Sequence, residues 1–203
     1  MFDIVEKDYA KFVELIDNGS GDTREAVPFT FEEINEVFAK DTFEHDVAKI
    51  LLCTGYRINE LLSIPTTNVN LKEGYFEAGS KTKAGKNRIV PISRHIKAIV
   101  EKYYNPENEF LFMSKRGKRY PYTTYNDRWM KISPDHTPHD TRHTFISIMD
   151  NVQANKVATH RIFGHANSGV TEKVYTHKNL ADLQEVMHLF DEYLSANCIL
   201  NAY

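Results

Sequence analysis

The apolar residues of this chain recur mostly at helical spacing, and one short stretch breaks that rhythm. Gly74 to Ser80 and Arg88 to Ile92 are strand-like runs around a Lys/Gly-rich tip, the pattern of a β-hairpin. On either side the spacing is three and four. A hairpin set among helices restricts the fold to a mostly α domain with a small antiparallel β-sheet, an α+β class. Thr30 and Glu33 stand as a capping box, so a helix is expected from there to about Lys40, burying Ile34, Val37 and Phe38. A second helix at about 42–53 carries Val47, Ile50, Leu51 and Leu52, and a short one over Arg57–Ser63 ends before Pro65. Further helices are expected at about 93–103, 123–131, 138–150, 154–163, 170–176 and 180–194, with a short strand at 110–113. There is no internal repeat.

The front of the chain is different. Phe2, Ile4, Val5, Tyr9, Phe12, Val13 and Ile16 make a short apolar-periodic piece, and the run from Asn18 to Thr23 (Asn-Gly-Ser-Gly-Asp-Thr) has linker composition. Residues 1–27 are therefore expected to be the tail of a preceding domain plus a linker, and 28–203 one folded domain. Two cysteines cannot form a disulfide framework, and no CxxC spacing is present. The N-terminus carries acids where a secretory signal carries bases, and no apolar run approaches the roughly 18 residues a membrane span needs. A cytoplasmic, membrane-free protein is expected.

Several fragments carry chemistry-bearing residues, each with an ordinary alternative. Thr137-Pro138-His139-Asp140-Thr141-Arg142-His143 reads as a helix start with Thr as N-cap and Pro at the first position. His139 and Arg142 then share a face near the positive end of the helix dipole, a setting suited to an anion. For this fragment alone the ordinary reading is the stronger one: Arg142 pairs with a carboxylate while His139 packs. His139 and His143 also have the i,i+4 spacing of a zinc helix, but a guanidinium beside a dication is unfavourable and no third ligand is evident, so no metal is expected. Arg57 and Glu60 have the spacing of a helix-surface ion pair. Lys81 and Lys83 lie in a charged turn, and Gly164-His165 precedes Tyr175 by ten residues.

Together, and in this order, the fragments TGYRINELL, the hairpin lysines, H-x-x-R at a helix start, Gly-His and the following Tyr resemble the catalytic domain of the tyrosine recombinases, the phage-integrase family. The resemblance runs from about residue 28 to the C-terminus. Its texture at GHANSGVTEKVYTHKN is similar to integrases of prophages and conjugative elements. It implies that Tyr175 attacks a DNA phosphodiester to give a 3′-phosphotyrosyl bond and a free 5′-hydroxyl. Arg57 and Arg142 match the two guanidiniums that stabilise charge on the non-bridging oxygens. His139 matches the residue that helps the phenol lose its proton, and His165 one that hydrogen-bonds the scissile phosphate. Lys81, with Lys83 as the alternative, matches the donor to the leaving 5′-oxygen, and Glu60 an acidic position supporting Arg57. The implied partner is double-stranded DNA at specific attachment sites, for integration or excision of a mobile element, with neither metal nor ATP as cofactor. The resemblance further implies a helical core-binding domain before residue 28, a tetramer on DNA and a directionality factor.

The charge distribution agrees with a DNA partner although the net charge of −3 does not. Residues 81–131 hold 13 Lys+Arg against 4 Asp+Glu, while the rest of the chain holds 12 against 24. Lys83, Lys86, Arg88, Lys115, Arg116, Lys118 and Arg119 are the expected phosphate contacts, with Tyr120, Tyr122 and Tyr125 following them. The tail presents an apolar stripe of Leu180, Leu183, Val186, Met187, Phe190 and Leu194. That stripe either docks on its own core or, as the resemblance suggests, packs on a neighbouring protomer and couples the tetramer.

Overall fold

The computed structural model describes residues 26–79, 88–152, 154–164 and 180–198. Thr30 and Glu33 form the expected capping box: Thr30 N–H donates to Glu33 Oε2 at 2.8 Å and Glu33 N–H donates to Thr30 Oγ1 at 3.2 Å. This opens helix α1 (Phe31–Phe38), which buries Ile34, Val37 and Phe38. Helix α2 (Phe43–Thr54) is buried from His45 to its last residue, as befits a helix enclosed by others. It packs against α1 and two later helices, α5 (Tyr122–Trp129) and α6 (Asp140–Asn151), and so forms the axis of the domain.

Gly55 ends α2 in the left-handed conformation, φ 61°, with its N–H donating to Leu51 O. A Cβ at this position would lie 2.5 Å from Cδ1 of Phe145, a fully buried ring of α6. Gly55→Ala should therefore destabilise the protein by about 1–3 kcal/mol, read from the urea midpoint, because left-handed strain and overpacking act together. A midpoint unchanged from the parent would show that Phe145 yields freely.

Helix α3 (Ile58–Leu62) follows, and a single 3-10 turn at Thr66–Asn68 leads into the sheet. The hairpin is β2 (Tyr75–Ala78) and β3 (Arg88–Pro91), antiparallel, with Phe76 opposite Val90 and both fully buried. A third strand, β1 (Val69–Asn70), adds to β2 and makes the order β1-β2-β3; the sequence reading missed it because two residues carry no periodicity. The strand expected at 110–113 is a pair of isolated bridges, Pro65 with Phe110 and Met113 with Arg119. Helix α4 (Lys97–Tyr103) starts later than expected, after a turn at Ser93–Ile96. Helix α7 (Lys156–Phe163) is capped by Asn155, whose side chain accepts from the Val157 and Ala158 amides. The helix expected at 170–176 lies outside the described residues.

The last helix, α8 (Leu180–Asn197), decides between the two readings of the tail. Leu183, Val186, Met187, Phe190 and Leu194 are buried against α6, α7 and β3 of the same chain. Asp191 fastens the helix: its carboxylate accepts from Ser93 Oγ at 2.5 Å and from the Arg94 amide at 3.0 Å. The stripe is therefore buried in cis in this single chain, as the first of the two readings expects. Among the described residues no helix is long and apolar enough to cross a membrane.

Candidate active site

Three elements converge near the left-handed turn at Gly55. Arg57 is the N-cap of α3, His139 the N-cap of α6, and Phe163 the last residue of α7. Arg142, one turn into α6, is buried; its Nη1 donates to Gly55 O at 2.5 Å and its Nη2 to Phe163 O at 2.9 Å. The fork thus ties the end of α2 to the end of α7. Burial, with Arg57 and Arg88 nearby, presses the Arg142 pKa down to about 9, so the group is charged at neutral pH. An anion is the natural relief for such a concentration of guanidiniums.

Arg57 is partly exposed and held from behind. Glu60 Oε2 accepts its amide at 3.0 Å, and Glu60 Oε1 lies 3.4 Å from its Nη1. Behind Glu60 stands Arg88, whose Nη2 donates to Oε2 at 2.8 Å and whose guanidinium lies over the Tyr56 ring. Burial by itself would raise the Glu60 pKa, but the bonds and charge of Arg88 and Arg57 outweigh it and hold the carboxyl below its ordinary range. This corrects the expectation that Arg88 contacts DNA: its side chain is buried and serves Glu60. The signal was the strand period, since Arg88 shares a face with buried Val90 while Ile89 between them is half-buried.

His139 sits at the mouth, with its imidazole exposed to solvent on one side and 4.7 Å from the His143 ring on the other, edge to face. Partial burial, then His143, Arg142 and Arg57, bring its pKa down to about 4, leaving it neutral at pH 7. A neutral imidazole can accept a proton. Arg57 and His139 line a cleft of about 540 Å³ together with Asn59, Tyr122, Asn126 and Thr137.

The pH consequence has a definite sign. The folded pKa of His139 is depressed, so between pH 6.5 and 4 the unfolded chain binds a proton that the folded chain does not. His143 and His45 shift the same way, chiefly through burial. The thermal midpoint should fall as pH drops from 7 to 5.5, and His139→Gln should flatten that dependence. A midpoint that rose over this interval would contradict the neutral imidazole.

Lys81, Lys83, Lys86, His165 and Tyr175 lie outside the described residues. Of the other expected phosphate contacts, Lys115, Arg116, Lys118 and Arg119 are all exposed on a turn that reverses at Gly117, φ 68°. Tyr122 is exposed, Tyr120 packs on Phe43, and Tyr125 is buried with its hydroxyl donating to Glu44 O, so Tyr122 is the most exposed of the three. Among the described residues no group of three His, Cys, Asp or Glu gathers as a metal site, at His139 and His143 or elsewhere.

The chain is similar to known proteins in sequence and in fold. The tyrosine recombinase XerC of Haemophilus influenzae (strain 86-028NP) is 26% identical over 173 residues, covering 76% of this chain and 58% of the relative. The tyrosine recombinase of Thermosipho africanus (strain TCF52B) is 27% identical over 169 residues, covering 80% and 53%. The chain thus spans just over half the length of these curated relatives. The solved XerA recombinase is 26% identical with a TM-score of 0.59, covering 80% of this chain and 64% of that one. The Tn1549 transposon integrase (aa 82-397), solved with circular intermediate DNA, shares the fold at a TM-score of 0.60 and 21% identity, covering 82% and 66%. The model of the Phage integrase family matches residues 28–181, and the chain belongs to that family.

Proposed function

We propose that this chain carries the catalytic domain of a site-specific DNA recombinase, which cuts and rejoins double-stranded DNA through a 3′-phosphotyrosyl intermediate. The observation that carries the reading is the placement of Arg57 and a neutral His139 on one cleft, with Glu60 bracing Arg57 from behind and the buried guanidinium of Arg142 on the same helix start as His139. Two guanidiniums suit the equatorial oxygens of a phosphodiester, whose negative charge grows as the phosphorus becomes five-coordinate. Tyr175 Oη attacks that phosphorus, the bond to the 5′-oxygen breaks, and the strand leaves with a 5′-hydroxyl. His139 takes the phenolic proton, which an unperturbed phenol of pKa about 10 would otherwise keep at neutral pH. Lys81, or Lys83, gives a proton to the departing 5′-oxygen, and His165 holds the phosphate.

The ester to tyrosine retains a good leaving group, so a 5′-hydroxyl from another strand can reverse the step without metal or ATP. The exposed turn Lys115–Arg119 supplies contacts to the DNA backbone. A tetrameric complex and a directionality partner belong to this reading through the resemblance alone, since the α8 stripe is buried in its own chain. Integration or excision of a mobile element is the biological outcome we infer.

A nicked suicide substrate carrying the cognate site tests the reading. In EDTA and without nucleotide, the protein should form a covalent DNA adduct that resists denaturing electrophoresis, and Tyr175→Phe should abolish it. Adduct formation that requires a divalent cation, or that survives in Tyr175→Phe, would overturn the mechanism.

A further inference from the structure

We infer that the extended segment Val27–Thr30 is a positioning element of the active site, acting on His139 through Asp140 and His136; this rests on the recombinase reading. The segment runs along the first turns of α6 as a strap. Val27 N–H donates to Asp140 Oδ1 at 3.3 Å, and Phe29 N–H donates to Thr144 Oγ1 at 2.8 Å. Two residues of extended chain advance about 6.6 Å and four of helix about 6 Å, so alternate strap residues meet successive turns of α6 in register.

The strap is gripped from its other side as well. The His136 ring is buried, stacks on Phe29 at 3.9 Å between centroids, and makes hydrogen bonds to Val27 O at 3.0 Å and Glu33 Oε1 at 3.1 Å. Both backbone groups of Val27 are therefore held by side chains that flank His139 in sequence. Asp140 completes the link. While Oδ1 faces Val27, its Oδ2 accepts the Thr137 amide at 2.6 Å and the Thr137 hydroxyl at 3.0 Å. One buried carboxylate thus binds the strap and closes the turn Thr137-Pro138-His139 that carries the imidazole.

An amide cannot replace this carboxylate, because it offers one oxygen where two N–H groups on opposite sides need an acceptor. In Asp140→Asn, with the oxygen on Thr137, the new NH2 group faces the Val27 N–H and the strap is released. We expect single-turnover cleavage of the suicide substrate by the full chain to slow tenfold or more while DNA affinity stays within twofold. The nuclear Overhauser contact between the His139 and His143 rings should weaken in the same variant, an effect that a purely stabilising role would not produce. Cleavage within twofold of the parent, or an unchanged ring contact, overturns the proposal. If Asp140→Asn does not fold, Phe29→Leu decides: it removes the ring stacked on His136, keeps the strap's backbone bonds, and should slow cleavage at least threefold at unchanged affinity. A parent that forms no Tyr175-dependent adduct overturns the recombinase reading instead, and the ring contact, measured without DNA, still decides the strap.

Discussion

Arg142→Lys should reduce strand cleavage by about 10³-fold, the scale seen when a positioned donor to a developing oxyanion is removed. A lysine keeps the charge but loses the planar fork. In the parent, that fork spans the carbonyls of Gly55 and Phe163, which come from opposite sides of the site. An ammonium reaches one of them and leaves the other buried without that donor, so the end of α7 loosens from the end of α2. The residue after that end is Gly164, left-handed at φ 70°, and His165 follows it directly. The expected result is a cleavage defect far larger than any loss of DNA affinity, measured as a single-turnover rate against a dissociation constant. A rate within tenfold of the parent would mean that Arg142 is a structural tie alone.

Glu60→Gln should have the largest effect on stability, a loss of about 3–5 kcal/mol in urea unfolding, because it leaves Arg88 as a buried charge without its counter-ion. The same change frees Arg57, whose amide and guanidinium both rest on this carboxylate. Adding Arg88→Met separates the two roles. With the buried cation gone, the double variant should recover most of the stability, while cleavage stays low because Arg57 still lacks its carboxylate. Recovery of both together would show that Glu60 acts on the fold and not on Arg57.

The elements that were legible in the sequence are those whose signals are local. The Thr30–Glu33 box, the apolar spacing of α2 and the strands on either side of the charged turn are all found where the pattern puts them. The conjunction of Arg57, His139 and Arg142 was legible as order along the chain, and the fold brings Arg57 and His139 to one cleft with Arg142 buried in the same first turn of α6. What the pattern could not supply is direction. Arg88 reads as one more base in a basic run, because charge counting ignores which face of a strand a residue occupies. The stripe on α8 is equally apolar whether it meets its own core or a neighbour; Asp191, bonded to Ser93 and Arg94 nearly one hundred residues earlier, is what fixes it in cis. His136 and Asp140 escaped notice for the same reason. Each looks like part of a helix start, and their bonds to Val27 join residues more than one hundred positions apart.

The proposed mechanism requires that a single phenolic oxygen become bonded to DNA. The most direct measurement is the site of that bond. The covalent adduct from the suicide substrate, digested with trypsin and nuclease and sequenced by mass spectrometry, should carry its nucleotide remnant on Tyr175, in the peptide between Lys173 and Lys178. A remnant on any other residue, or on none, would contradict the account.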